Sequence, residues 1–192
     1  MNRRQLRPGV GIPAKACRGK GPVDAALAWE YLPGMSPAWL IPAVTVLGTV
    51  VAMELTATAV HRYIMHGWGW GWHRSHHSPC SGAFERNDLY ALVFAVISIS
   101  LFLIGESWPL LWWVGVGTVV YGLLYAFVHD GIVHRRLPTG LVPRRGYLKR
   151  VVQAHRLHHS VREREGAVSF GFLYAPRVPE LVEQLKGRRP RR

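Results

Sequence analysis

The hydrophobic pattern along this chain comes in blocks rather than in a short period. Residues 37–60, "PAWLIPAVTVLGTVVAMELTATAV", are apolar on every side of a helix and carry one charge, Glu54. Residues 89–105, "LYALVFAVISISLFLIG", and 108–128, "WPLLWWVGVGTVVYGLLYAFV", carry none. A membrane span needs about 20 apolar residues. The first and third stretches meet that length. The second lies at its lower limit and reads as one arm of a hairpin turning at "GES". Helices that are apolar all round need lipid or a large protein core about them, and a chain of 192 residues cannot cover three. The pattern predicts an all-α integral membrane protein with three transmembrane helices, a fourth being left open.

Composition sharpens this. The chain is 49% hydrophobic yet has net charge +13. Both hold together if apolar residues fill the spans and basic ones the connections. The segment from Asp130 to Glu165 has nine Lys or Arg against three acids. By the positive-inside rule that face is cytoplasmic. The same distribution excludes nucleic acid as partner, because the charge flanks spans and no binding motif accompanies it. Membrane lipids are the expected neighbours, and the oligomeric state is not legible. Cys17 and Cys80 are too few for a disulfide framework or a thiolate site.

Three regions are expected: a flexible basic extension over 1–34, a membrane domain over 35–176, and a basic tail over 177–192. The extension has no apolar signal core. Its Arg3, Arg4, Arg7, Lys15, Arg18 and Lys20 fit poorly on the far side of the membrane. Met35, directly before the first span, is an alternative start.

All ten histidines fall into spaced sets. They are His61-x4-His66, His73-x2-His76-His77, His129-x4-His134 and His155-x2-His158-His159. An odd number of spans puts all four sets on one face, as a histidine-rich cap. On an α-helix, residues three and four apart share a face. Each H-x2-HH set therefore covers about 100° and can converge. A spacing of five turns about 140°, so each H-x4-H pair diverges on a regular helix and suits two metals rather than one. Ten imidazoles match a dinuclear site with four or five nitrogens per ion. All-nitrogen ligation leaves Zn, Cu, Fe and Ni open. No Glu-x-x-His occurs, which removes the soluble di-iron bundle pattern. A transition-metal transporter or sensor without enzymatic activity uses the same ligands and stays as an alternative of another class.

The order H-x4-H, H-x2-HH, H-x4-H, H-x2-HH beside membrane spans resembles the membrane di-iron superfamily of fatty acid hydroxylases and sterol desaturases. The wording around it is more specific. "HRYIMHGWGWGWHRSHH", "GAFERNDLYALVF", "FVHDGIVHRRLP", "PRRGYLKR" and "AHRLHHSVREREGAVSFGFLYAP" look like the bacterial β-carotene hydroxylase family, over about Met35 to Pro176. The resemblance implies a mixed-function oxygenase. Its cofactors are two non-haem iron ions, with O2 as co-substrate and electrons from ferredoxin and ferredoxin reductase. Its substrate is a carotenoid drawn from the bilayer: β-carotene, hydroxylated through β-cryptoxanthin to zeaxanthin, with ketocarotenoids such as canthaxanthin also taken, to astaxanthin. All ten histidines carry over as iron ligands, and no other catalytic residue is implied. The sequence departs from the family at Ser78-Pro79, where Glu-Pro is common, so no role for that Glu is transferred. A related enzyme acting on sterols or fatty acids is the nearest rival.

Carboxylates are expected to orient metal-bound imidazoles. Asp130, next to His129, is the first candidate and Asp88, in "ERND", the second. Glu54 lies seven residues before His61 on the same helix face. A carboxylate inside a span tends to face the bundle interior, so Glu54 is the third. The alternation "GWGWGW" reads as an extended link in which Trp68, Trp70 and Trp72 point to one side. That side is either the headgroup layer or a path for the substrate. Glycines 67, 69 and 71 end the helix before it. The basic face is either a topology signal or a docking surface for an acidic ferredoxin. "AVSFGFLYAP" is too short to span and is expected to cover the site or pack on it, and "RRPRR" to end as a solvated tail.

Overall fold

A computed structural model of the chain describes residues 37–78 and 84–188. The expected 1–34 extension, the Met35 start, Cys17, Cys80 and "RRPRR" beyond Arg188 lie outside the described residues. Among the described residues every element is helical: α1 (Pro37–Ala59), α2 (Trp70–His73), α3 (Asp88–Gly105), α4 (Pro109–Tyr125), α5 (Gly146–His159) and α6 (Val178–Arg188). Two of them continue as π-helix, α1 through Val60–Trp68 and α4 through Ala126–Val133. With those extensions, three helices are long and apolar enough to cross a membrane: Ala38–Trp68, Asp88–Gly105 and Pro109–Val133.

Small residues set how closely these helices approach, as expected where packing replaces the hydrophobic effect. A Cβ on Gly117 of α4 would lie 2.5 Å from Thr49 Cβ of α1, and one on Gly105 of α3 would lie 2.6 Å from the Trp112 amide nitrogen of α4. Pro109 starts α4, where its missing N–H is not needed. Outward positions are apolar. Leu47, Val51 and Leu55 of α1, Leu103 of α3 and Leu123 of α4 are 63–67% exposed. Aqueous proteins do not leave so continuous an apolar surface uncovered, and lipid chains satisfy it.

The buried core sits at one end of the bundle and its centre is polar. His61 and His158 are fully buried and His129 nearly so. Around them pack two apolar clusters, one of Val128, Val151, Ala154, Val168, Ala175 and Leu181 and the other of Ala57, Tyr121 and Phe172. The ends of α1 and α4, the start of α3, and α2 and α5 all meet here.

Within the expected basic tail over 177–192, residues 178–188 form α6, whose Leu181 is only 1% exposed within the core and whose Arg188 donates to the carbonyls of Gly166 and Ala167. One expectation is corrected: the "GWGWGW" link is not extended. Gly67 leaves the helical region and Gly69 sits at its edge (φ −81°, ψ 4°), while Trp70–His73 form a helical turn. The three tryptophans therefore diverge. Trp68 is 84% exposed, Trp72 lies edge-on to Tyr90, and Trp70 packs on His66, His73 and His77. Gly69 is required for a separate reason. Tyr90 donates its hydroxyl to the Gly69 carbonyl at 2.8 Å, and a Cβ there would collide with that hydroxyl.

Candidate metal centre

All ten histidines converge, in two groups. One ring nitrogen each from His61, His66, His73, His77 and His158 lie within 4.8 Å of one another. So do nitrogens from His76, His134, His155 and His159. His129 adjoins the second group, its Nε2 3.2 Å from that of His76. The two groups share a wall, where the His77 and His159 rings stack 4.4 Å apart.

The partition reverses the sequence expectation for both spacings. His61 and His66 face the same group, and His129 and His134 the other. π-Helix accounts for this. Its backbone bond runs from i to i+5, stacking residues five apart as α-helix stacks those four apart. The His134 amide donates to the His129 carbonyl at 2.9 Å, which closes that turn on the pair itself. The H-x2-HH sets are the ones that divide. His73 and His77 join the first group while His76 crosses to the second. His155 and His159 join the second while His158 crosses to the first. His76 and His77 also lie past the end of α2, in a turn rather than on a helix.

Seven of the rings are held by Nδ1. His61 donates to the Phe170 carbonyl (2.9 Å), His66 to Arg164 (2.7 Å), His77 to Val161 (2.8 Å) and His158 to Val168 (3.0 Å). His73 donates to Asn87 Oδ1 (2.7 Å), His76 to Glu85 Oε2 (3.1 Å) and His129 to Asp130 Oδ1 (2.9 Å). A proton on Nδ1 leaves a bare lone pair on Nε2. These Nε2 atoms nevertheless meet at short range: His61 and His73 at 3.1 Å, His77 and His158 at 3.1 Å, His76 and His129 at 3.2 Å. Facing lone pairs repel unless a cation lies between them. Metal–imidazole bonds of about 2.0–2.1 Å place neighbouring ligand atoms about 2.9–3.4 Å apart. His159 Nε2 is buried with no hydrogen-bond partner. The residues therefore fit a pair of metal ions.

Electrostatics agree. Burial, opposed by the Asn87 bond, pushes His73 down to about 2. Burial also pushes His77 and His134 down to about 4 and lowers His76, His155, His158 and His159. Neutral imidazole is the form that binds metal.

Of the three carboxylates named from sequence, Asp130 alone touches a histidine. Asp88 instead takes a two-pronged bond from Arg136 (2.8 and 2.7 Å), whose guanidinium lies 3.7 Å from Asp130. Glu54 reaches no imidazole. Its Oε1 accepts the backbone N–H groups of Phe172, Leu173 and Tyr174 at 2.9–3.0 Å, and its Oε2 the Tyr121 hydroxyl at 2.8 Å. It thus ties down the strap of residues 161–176, whose carbonyls hold four histidines. Tyr147 secures the same strap at Leu173 and Ala175. Sequence reasoning missed Asn87, Glu85 and the strap carbonyls. The first two sit in the polar run "ERND", two residues apart, and that run was their only signal.

A cavity of about 430 Å³ opens between α1, α3 and α4. Its walls are mainly apolar, with Ala57, Phe94 and Phe102 among them. Tyr125 and Phe172, which also line it, stack on His129 (4.5 Å) and His61 (4.9 Å). None of Trp68, Trp70 and Trp72 lines it.

A bundle with three membrane-length helices and ten imidazoles gathered in two groups is an all-α membrane architecture with a histidine cluster that could hold metal. The chain belongs to the fatty acid hydroxylase family, whose pattern matches residues 46–176. It is 57% identical over 152 residues to the beta-carotene hydroxylase of Pantoea ananas, covering 78% of this chain and 86% of that protein. It is 57% identical over 143 residues to the beta-carotene hydroxylase of a Paracoccus species, covering 73% and 88%. Against the chloroplastic beta-carotene 3-hydroxylase 2 of Arabidopsis thaliana the identity is 40% over 141 residues, covering 71% and 46%. No solved structure matches. The protein is a hydroxylase.

Proposed function

We propose that the protein is a carotenoid ring 3-hydroxylase, converting β-carotene through β-cryptoxanthin to zeaxanthin. Its ten histidines hold two non-haem irons. The observation that carries this reading is the mainly apolar cavity ending at Tyr125 and Phe172, one ring against each histidine group. Cavities of this size suit a drug-sized ligand. A β-ionone ring with a short length of polyene fills it, and the remaining polyene stays in the bilayer.

Iron bound at the two groups supplies O2 activation and the oxidation of an unactivated ring C–H bond. Each hydroxylation places one oxygen atom on carbon and releases the other as water, consuming two electrons and two protons. The protein's own residues do the rest. Ten Nε2 atoms are the ligands. The strap carbonyls, Asn87, Glu85 and Asp130 fix ring orientation through Nδ1–H, which fixes the tautomer and raises ligand basicity. Tyr125 and Phe172 wall the ring end of the substrate against the histidines, and the lipid-side residues exclude water. Electrons come from a ferredoxin-type donor at the basic face, in a cytoplasmic orientation supported by the positive-inside rule.

The test is expression in a bacterium that accumulates β-carotene, followed by pigment chromatography. Zeaxanthin and β-cryptoxanthin are the expected products. Unchanged β-carotene beside folded, iron-loaded protein would refute the assignment. Oxygenated sterols or fatty acids in their place would transfer the same site to the rival substrates.

A further inference from the structure

The mainly apolar cavity is lined by two residues with a polar group that makes no hydrogen bond among the described residues. The hydroxyls of Tyr90, Ser98 and Thr118 donate to backbone carbonyls, and that of Tyr121 to Glu54. Asp88 is held by Arg136 and Asp130 by His129. Asn87 and Tyr125 remain. Asn87 is only 5% exposed and lines the cavity. Its Oδ1 accepts from His73 Nδ1 at 2.7 Å, which fixes the amide's orientation. The amide nitrogen makes no hydrogen bond among the described residues. The same is true of the Tyr125 hydroxyl, although its ring is fixed by stacking on His129.

An amide N–H2 of a residue on the wall of a mainly apolar cavity, with no partner among the described residues, is a donor that an acceptor on the ligand can satisfy. An unsubstituted β-ionone ring has no acceptor. Resting on the carotenoid reading above, we propose that the Asn87 amide nitrogen, assisted by the Tyr125 hydroxyl, is the donor that recognises a carbonyl oxygen on the substrate ring. Ring ketones are then bound and oriented by hydrogen bonding, and hydrocarbon rings by shape alone. Asn87 thereby acts twice, with its oxygen on His73 and its nitrogen on the substrate. A site that hydrogen-bonds a substrate group discriminates far more strongly than one that merely accommodates it.

The experiment compares wild type, Asn87→Asp and Tyr125→Phe, given β-carotene and a carotenoid with ring ketones in one competition mixture. Asn87→Asp keeps an acceptor for His73 and removes the donor. The ketone-to-hydrocarbon ratio of kcat/KM is expected to fall roughly tenfold in Asn87→Asp and severalfold in Tyr125→Phe. A purely supporting role for Asn87 slows both substrates together, and an unchanged ratio in both variants would overturn the proposal. Binding gives a second readout that needs no iron. The visible absorption of the ketone should shift to longer wavelength in the wild-type protein and not in Asn87→Asp. An equal shift in both overturns the proposal even if the variant fails to load iron. Wild type hydroxylating neither ring would instead sink the carotenoid reading.

Discussion

His76 and His77 are neighbours in the chain and belong to different nitrogen groups. His158 and His159 repeat this in α5. Each adjacent pair ties the two nitrogen groups together through one peptide unit, so the groups cannot move far apart without distorting the backbone.

That arrangement separates the effects of neighbouring substitutions. His77→Ala should disturb the first group and His76→Ala the second, and each should lower turnover by at least about 100-fold, the upper range for losing a mere supporting partner. Asp130→Asn, which weakens the hold on His129, should cost about 10–100-fold. Iron content per chain and iron spectroscopy check the assignment. Identical spectra for His76→Ala and His77→Ala would refute the partition.

Glu54 predicts a stability effect rather than a chemical one. Glu54→Leu strands three backbone N–H groups and the Tyr121 hydroxyl, at about 1–3 kcal/mol for each group left unsatisfied. Glu54→Gln retains an oxygen and should recover part of the loss. Thermal unfolding in detergent measures both. A Leu variant as stable as wild type would show that the strap does not depend on this carboxylate.

The buried imidazoles give a pH dependence of known sign. His77 and His134 are pushed down to about 4 by burial, from an ordinary value of 6.5. As pH falls below 6.5 the unfolded chain takes up protons before the folded one. The stability these rings contribute is complete above 6.5 and drains away toward about 4. Proton competition for the metal acts in the same direction. Iron retention after dialysis and the unfolding temperature should stay level from pH 8 to about 6.5, then fall. Retention that declines on the alkaline side instead would contradict the assignment.

The three tryptophans of the glycine-rich link should differ. Trp70→Ala removes a ring packed on His66, His73 and His77, with a cost of about 3–5 kcal/mol if the gap does not close. Trp68→Ala changes an exposed side chain and should stay within about 0.5 kcal/mol. Comparing unfolding temperatures decides, and equal losses would argue for a shared role.

The sequence displayed the spans, the hairpin turn and the common end of the four histidine sets, because apolar length and residue spacing are properties of the chain. It did not display which histidine joins which group. The spacing of five was read against α-helix, where it diverges. In π-helix the same spacing converges, and that choice of backbone depends on how the rings pack. Four of the Nδ1 acceptors are main-chain carbonyls, which any residue could supply, so Val161, Arg164, Val168 and Phe170 carry no mark. In "ERND" the charge of Asp88 drew the eye, while Asn87 is the residue that meets a histidine. One rotates to His73 and the other to Arg136, a difference set by the start of α3. Glu54 finds its partners in a strap more than a hundred residues later in the chain, which no local spacing marks.

The strap also fixes when the centre can form. The carbonyls that orient His61, His66, His77 and His158 belong to residues 161–170, and α6 beyond them clamps the strap through Arg188. While the chain is still being made, the first histidines reach the membrane surface with neither partners nor acceptors. If the two groups take metal as proposed above, the closed site for it exists only once the strap and α6 have left the ribosome. A protein truncated before α6 would be inserted in the membrane yet left without a closed centre.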